Sequence, residues 1–318
     1  MTTAQNLDVT VDGDRIDARL YAPESAELTT EQGYPCIVMA HGLGCTQDSG
    51  LHEFATGLAT TGTAVITFDY RHFAGSEGSP RQLIDPYKQL DDYRAVISVA
   101  RATEGIDPAR IVLWGVSFSG GHVIELAAED SSIAGVIALV PSPDGRAAVL
   151  KSARSQSPVR LARTNALAIR DAIAGRRRKA PTYLPLVAPP GKIGALTAPG
   201  AFESMTTTAG PSWKNSFAAR LLLQFAGYRP ITKANKVQCP VLVQIGDLDQ
   251  TAIPEVATDA ALQMQARTHH YPCDHFDVFP GQEFYDRTLL DQQRFISDIF
   301  QGTPPAPPYR YVTASDTA

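Results

Sequence analysis

The chain has 318 residues, of which 44% are hydrophobic and 19% charged, and its 28 basic and 33 acidic residues give a formal net charge of −5. This composition is typical of a globular protein and excludes disorder as the main state. A mildly acidic chain has no overall field for polyanions, so we expect neither nucleic acid nor a membrane as a partner. The first residues lack the features of a signal peptide, and no run approaches the roughly 18 apolar residues of a membrane span. These observations predict a soluble, cytoplasmic protein.

The cysteines and histidines show no spacing that suits a metal ion. Cys36, Cys45, Cys239 and Cys273 form no C-x-x-C pair, and the seven histidines have no paired ligand spacing. Zinc sites and disulfide frameworks depend on such spacings. We therefore expect no metal, no cofactor and no disulfide.

Short, β-rich apolar runs alternate with longer helical patterns along most of the chain, which is typical of a parallel sheet covered by helices. The first element is a hairpin over residues 7–21, around the turn Asp12-Gly13-Asp14. The later runs predict strands over residues 36–40, 64–68, 111–114, 136–140 and 241–245. The helical patterns predict helices over residues 50–61, 86–103, 119–129, 254–264 and 283–300.

The alternation stops between about Pro141 and Lys236. This segment contains a helical pattern over 157–175, a proline-rich bend and a second amphipathic stretch over 213–225. An irregular insertion of this size inside a compact fold is more often functional than filler. We predict an α/β core over 1–141 and 237–301, a cap over 142–236, and a proline-rich surface tail over 302–318.

One apolar strand runs directly into Gly115-Val116-Ser117-Phe118-Ser119 and then into a helix. A serine at a sharp turn between strand and helix points its hydroxyl into open space, and small residues two positions before and after it avoid collisions. Serine stands at 119 where the common G-x-S-x-G motif has glycine. The pattern predicts Ser117 as a nucleophile, with the amide of Phe118 facing the oxyanion.

A serine nucleophile needs a base and an acid, and the order Ser, acid, His is satisfied further along the chain. Asp247 and Asp249 follow a predicted strand, where ligands bind in open α/β sheets. His275 lies in a loop before the last predicted helix and is the expected base. A second oxyanion donor is expected from the glycine-rich loop after residue 40, where we choose the amide of Leu43.

The motifs His41-Gly42-Leu43-Gly44, Asp69-Tyr70-Arg71, Gly75-Ser76-Glu77-Gly78, the serine turn and His275-Phe276-Asp277 together carry a family resemblance. The chain resembles the α/β-hydrolase superfamily. Within it, the chain is similar to bacterial hydrolases grouped with the dienelactone-hydrolase and Xaa-Pro-peptidase (S15-like) branches, whose fungal relatives include polyketide acyltransferases. The resemblance implies a mostly parallel sheet with helices on both faces and a helical cap.

The same resemblance implies roles for individual residues. Ser117 would be the nucleophile, His275 the base and Asp249, in preference to Asp247, the acid. The amides of Leu43 and Phe118 would form the oxyanion hole. Relatives often have glycine where this chain has His72 and Ala74.

Several other residues have two interpretations each. Cys45 and Trp213 are weak candidates to line the substrate pocket. His41 is expected to brace the oxyanion loop by hydrogen bonds, and His122 to pack one turn into the helix behind the nucleophile. For Asp69 or Arg71 we expect a structural ion pair, with contact to the substrate as the alternative. The basic run Arg176–Lys179 favours a solvated face, with an anionic substrate or partner as the alternative.

These residues predict a serine esterase that cleaves a small to medium carboxylic ester through an acyl-enzyme. Acyl transfer, thioester cleavage and hydrolysis of lactones or peptides use the same intermediate and stay open. A non-catalytic binding protein on the same fold is a third hypothesis. We expect a small-molecule substrate as the partner, and a homodimer is left open.

Overall fold

The computed structural model describes residues 4–302 and 309–311. Its strands are, in chain order, β1 Gln5–Val11, β2 Asp14–Tyr21, β3 Tyr34–Ala40, β4 Ala64–Phe68, β5 Ile106–Val116, β6 Gly135–Leu139, β7 Tyr183–Leu184, β8 Phe217–Ala218, β9 Val241–Gly246, β10 Arg267–Tyr271 and β11 Tyr309–Tyr311. Its α-helices are α1 Leu51–Ala59, α2 Pro86–Ala102, α3 Phe118–Glu129, α4 Gly145–Ser155, α5 Pro158–Arg176, α6 Ala201–Thr208, α7 Leu221–Gln224, α8 Pro254–Gln263 and α9 Tyr285–Gln301.

The described strands form one large sheet in the order β1-β2-β4-β3-β5-β6-β9-β10-β11. The predicted hairpin, β1 and β2, joins this sheet antiparallel to β4. The other strands of this sheet, β4, β3, β5, β6, β9, β10 and β11 in spatial order, are parallel. Strands β4, β6 and β9 are buried along their whole length, as expected of strands covered by helices on both faces. The predicted α/β architecture is confirmed.

Strand β10, Arg267–Tyr271, has no counterpart among the predicted strands. Its sequence Arg-Thr-His-His-Tyr carries little apolar signal, although most of it is buried. The strand lacks an apolar pattern because its polar side chains have carboxylate partners. His269 contacts Asp291 at 2.9 Å, and His270 contacts Asp247 at 2.6 Å.

The segment between β6 and β9 contains α4 to α7, the small antiparallel pair β7–β8 and 3-10 turns at 225–227 and 230–236. Helix α5 agrees with the helical pattern predicted over 157–175. The amphipathic stretch over 213–225 is instead broken into β8 and the short α7. Its backbone is held by contacts distant in sequence, such as Ala218 N–H to Gln82 O at 2.9 Å.

The predicted surface tail, 302–318, lies largely outside the described residues. Its described part, Tyr309–Tyr311, pairs in parallel with β10 as strand β11. The outer edge of β10 offers unpaired backbone groups, and a passing segment can satisfy them.

The parallel strands determine where the predicted site residues meet. Ser117 follows β5, Asp249 follows β9 and His275 follows β10, while Leu43 follows β3. All four loops leave the same edge of the sheet, because the carboxyl ends of parallel strands lie together.

Candidate active site

Ser117 lies on a strained turn between β5 and α3. Its φ of 57° and ψ of −114° are rare for a residue other than glycine. A Cβ at Gly115 would lie 2.2 Å from the carbonyl oxygen of Ser119, and one at Gly120 would lie 2.8 Å from Pro141 Cβ. The turn therefore requires glycine at both positions, and it exposes the Ser117 side chain to the cavity described below.

Ser119 uses the hydroxyl that the more common glycine lacks. Its Oγ accepts from the amide of Val116 at 2.9 Å and donates to the carbonyl of Ala40 at 2.7 Å. Both partners are buried. Serine in place of glycine at this position therefore links the end of β3 to the turn that carries Ser117, and the turn is not disturbed.

Ser117, His275 and Asp249 form a continuous chain of hydrogen bonds. The Nε2 of His275 is 3.1 Å from Ser117 Oγ, and its Nδ1 is 2.6 Å from Asp249 Oδ2. His275 and Asp249 are 2% and 7% exposed. With Nδ1–H donating to the carboxylate, Nε2 is free to accept the serine proton.

Asp249 is held as a carboxylate by its surroundings. Burial raises its pKa, but the interaction with His275 and amide hydrogen bonds from Thr251 and Ala252 outweigh burial and lower it below its ordinary value. Those amides donate to Oδ1 at 2.8 and 2.7 Å and leave Oδ2 for the histidine. The two oxygens have separate partners.

The neighbouring carboxylates have structural partners instead. Asp247 Oδ1 lies 2.6 Å from Nδ1 of His270 and does not take the place of Asp249. Asp274 accepts the amides of Gln250 and His275, and Asp277 accepts the amide of Asp274. These bonds fix the loop that carries the histidine.

The predicted oxyanion donors lie beside Ser117. Leu43 and Phe118 are buried and line the same cavity as Ser117. A Cβ on Gly42 would lie 3.1 Å from Ser117 Cβ, which explains the glycine. Within residues 4–302, no hydrogen bond uses the amide of Leu43, and the amide of Phe118 begins α3, where helical amides have no helical acceptor.

His41 and His122 brace the site from behind. Burial lowers the pKa of His41 to about 4, so the ring is neutral, and its Nδ1–H donates to Gly42 O at 3.0 Å. His122 lies 2.6 Å from Tyr228 Oη and 3.1 Å from Gln89 Oε1. Neither reaches the hydroxyl of Ser117 in the described contacts, as expected for bracing residues.

A cavity of about 420 Å³ lies over Ser117. Its floor comes from the sheet edge, and its walls come from α4, α5, the loop 194–199, α7 and Phe225. Most of the lining is apolar, including Val149, Leu161, Leu196 and Leu222. The cavity therefore suits a small to medium apolar acyl group.

Cys45 and Trp213, the weak pocket candidates, are not among the residues that line this cavity in the described structure. Both pack partly buried against the hydrophobic core. Burial raises the pKa of Cys45 to about 12. The turn that carries Trp213 is held on the loop after β3, because Ser212 N–H donates to Asp48 Oδ2 at 3.0 Å.

The sequence analysis did not identify the residues between β6 and β9 that line the cavity, and Lys151 is one of them. Its ammonium donates to the carbonyl of Ala252 at 2.8 Å, next to the loop of Asp249. Lys151 also borders a second, open cleft of about 710 Å³ between α4 and the start of α8. Helical patterns do not show which face of α4 points inward, so no signal in the sequence selects this lysine.

The remaining motifs have structural roles. Arg71 forms a buried ion pair with Asp92, and Asp69 accepts the amide of Gln47 at 2.8 Å. His72 and Ala74 have φ values of 76° and 38°, in the left-handed backbone region that favours glycine. The run Arg176–Lys179 is exposed.

Neither a metal-binding cluster nor a membrane-spanning helix is present in the part of the chain that the structure describes. No group of three or more His, Cys, Asp or Glu side chains could hold a metal ion. No helix is long and apolar enough to cross a bilayer.

The sheet order and the serine turn define an α/β hydrolase, and comparison with known proteins agrees. Residues 37–288 match the alpha/beta hydrolase family, to which the chain belongs.

The chain is 38% identical over 299 residues to the quorum-quenching protein AidA of Acinetobacter baumannii, covering 92% of this chain and 95% of that protein. It is 27% identical to the thiohydrolase aneE of Aspergillus aculeatus, covering 92% of each. The crystal structure of the alpha/beta hydrolase GrgF from Penicillium sp. sh18 superimposes with a TM-score of 0.76 at 19% identity, over 94% of this chain and 99% of that one. At this identity the superposition shows the fold alone.

Proposed function

We propose that this α/β hydrolase is a serine esterase that cleaves a carboxylic ester of a small to medium acyl group. The observation that carries the proposal is the hydrogen-bonded chain from Ser117 through His275 to Asp249, with distances of 3.1 and 2.6 Å. The apolar cavity above Ser117 supports an acyl substrate.

In the first half of the reaction, Ser117 Oγ attacks the acyl carbon while its proton passes to His275 Nε2. The carbonyl oxygen becomes an oxyanion, to which the amides of Leu43 and Phe118 donate. Asp249 stabilises the imidazolium through Nδ1–H. As the intermediate collapses, the ester C–O bond breaks and the leaving alkoxide takes the proton from Nε2.

In the second half, His275 removes a proton from water, whose oxygen attacks the acyl-enzyme. The Ser117 ester bond breaks, and the serine oxygen recovers its proton from His275. The products are the free acid and the alcohol. Apart from the ester and one water, the cycle uses side chains and backbone amides of this chain.

A second candidate keeps the triad and changes the acyl donor or acceptor. Relatives named thiohydrolase, acyltransferase and polyketide transferase favour thioester cleavage or acyl transfer. A lactone would form the same acyl-enzyme with Ser117 and is kept as a substrate class. Peptides use the same acyl-enzyme, and product analysis with alcohol or amine acceptors separates transfer from hydrolysis.

The test is to measure initial rates on matched oxygen-ester and thioester series from acetyl to decanoyl. Ser117→Ala should lower kcat/KM by about 1,000-fold or more on every active substrate, because no other group replaces the nucleophile. Ser98→Ala, which changes an exposed serine on α2, is the matched control and should retain full activity. Retention of activity in Ser117→Ala within a few-fold would refute the proposal.

Labelling by a fluorophosphonate separates an enzyme from a non-catalytic binding protein. An activated serine reacts covalently, and peptide mapping should place the adduct on Ser117. A folded protein that stays unlabelled would favour the binding protein.

A further inference from the structure

The charge of this protein is divided between two parts of the chain. Residues 142–236, the predicted cap, contain sixteen basic and three acidic residues, which gives this segment a net charge of +13. The rest of the chain contains twelve basic and thirty acidic residues, a net charge of −18. The overall value of −5 therefore conceals a strongly basic segment on a strongly acidic core.

The acidic residues of the cap do little to neutralise it. Two of the three are already paired, Asp144 with Arg229 and Asp171 with Arg220. Within residues 4–302, Arg163, Arg170 and Arg177 form no ion pair. Their charge is available to a partner.

Helix α5 presents a regular stripe on its outer face. At spacings of three and four residues, exposed apolar and basic side chains alternate along it, in the order Val159, Arg163, Ala166, Arg170, Ile173 and Arg177. Val159 is 80% exposed and Ile173 is 44% exposed. At 1.5 Å per residue the stripe is about 27 Å long. The basic turn Arg176–Lys179 continues it.

The inner face of the same helix belongs to the candidate active site. Leu161, Thr164 and Asn165 line the cavity above Ser117. One helix therefore separates the acyl cavity from a surface that is both basic and apolar.

We propose that the outer stripe of α5 and the basic turn Arg176–Lys179 form a docking surface for an anionic phospholipid bilayer. Arginines bind the lipid phosphates, while the exposed aliphatic side chains enter the boundary between headgroups and acyl chains. A single helix face is convex and offers no groove to a peptide, which favours a lipid surface over an acidic protein. This proposal departs from the expectation of no membrane partner, which was drawn from the net charge of the whole chain.

The experiment is sedimentation of the purified full chain with vesicles. Binding is expected to vesicles of phosphatidylcholine mixed with phosphatidylglycerol and not to phosphatidylcholine alone, and it should weaken as salt is raised. The triple variant Arg163→Gln, Arg170→Gln, Arg177→Gln should bind at least about tenfold more weakly, because each arginine near the lipid contributes separately. Its turnover of a soluble ester without vesicles should stay unchanged, so failure of docking is distinguishable from failure of the esterase proposal.

The matched control is Arg19→Gln, Arg94→Gln, Arg294→Gln, which removes the same charge from exposed side chains of the core. Vesicle binding by this control should equal that of the wild type. Ile173→Ser should also weaken binding, which a purely electrostatic contact would not show. Equal loss in both triple variants, or equal binding to neutral vesicles, would overturn the proposal. Binding to poly-glutamate without binding to vesicles would overturn it in favour of an acidic polypeptide.

Discussion

At the scale of single residues, the candidate site depends on a division of roles between two aspartates that lie two positions apart. Asp249 meets His275 and Asp247 meets His270, both at 2.6 Å. Both carboxylates follow β9, but only Asp249 lies against His275, and two backbone amides hold it there. Position in the loop, and not the type of residue, therefore decides which aspartate is the candidate acid.

This division predicts unequal effects of the same substitution. Asp249→Asn should lower kcat/KM by about 1,000- to 10,000-fold, because the amide keeps the shape but cannot stabilise the imidazolium. Asp247→Asn is the matched control and should change kcat/KM by only a few-fold. Both are checked by steady-state kinetics on the best ester, with circular dichroism to confirm folding. If kcat/KM fell equally in the two variants, the prediction that Asp249 alone is the acid would be wrong.

The sequence could predict the order Ser, acid, His but could not choose the acid from geometry. Asp247 and Asp249 follow the same strand and differ only in how the loop turns. The choice of Asp249 came from resemblance to a family, and the distance to His275 supports it. The hydrogen bond from Ser119 could not be predicted either, because Ala40, whose carbonyl accepts it, lies on another strand.

At the scale of secondary-structure elements, the strands that the sequence predicts are those with mostly apolar residues buried on both faces. Predominantly apolar runs such as β4 and β9 stand out because they lie between two layers of helices. Strand β10 does not, because its polar residues His269 and His270 lie against carboxylates on other elements. The break in the βα rhythm marks the segment between β6 and β9, but its short pieces are held by contacts distant in sequence and are not predicted. Val187, for example, donates its amide to Asn215 Oδ1 at 2.9 Å.

One such contact predicts how α4 is held over the cavity. Lys151 donates to the carbonyl of Ala252 and thereby ties α4 to the loop that carries Asp249. Lys151→Met keeps much of the side-chain length but removes this bond. Amides of α4 should then exchange with deuterium several-fold faster, because local opening costs less free energy. Exchange is read by mass spectrometry of peptides covering Gly145–Ser155.

The control for this prediction is Arg154→Met, one turn further along the same helix. Arg154 makes no hydrogen bond or ion pair in the described contacts, so its removal should leave exchange in α4 unchanged. If both variants exchange at the wild-type rate, the Lys151 bond does not hold the helix.

At the scale of the whole molecule, buried histidines connect folding to pH. Burial lowers the pKa of His41 to about 4 and that of His122 to about 3. Burial raises the pKa of Asp69 to about 7, and its carboxylate lies 3.6 Å from His41. His41 and Asp69 therefore have opposite effects on the pH dependence of stability. His122, held between Tyr228 and Gln89, has no carboxylate contact among the described residues.

His122 gives a prediction with a definite sign. Below about pH 6.5 the unfolded chain protonates this histidine while the folded protein does not, so the free energy of unfolding falls as pH falls. Between pH 7 and pH 5 this loss is about 2 kcal/mol. Urea unfolding at both values should show His122→Gln losing about 2 kcal/mol less than the wild type over this interval. His52→Gln, at an exposed histidine, should retain the wild-type loss. Equal losses in all three proteins would mean that His122 takes up its proton in the folded state.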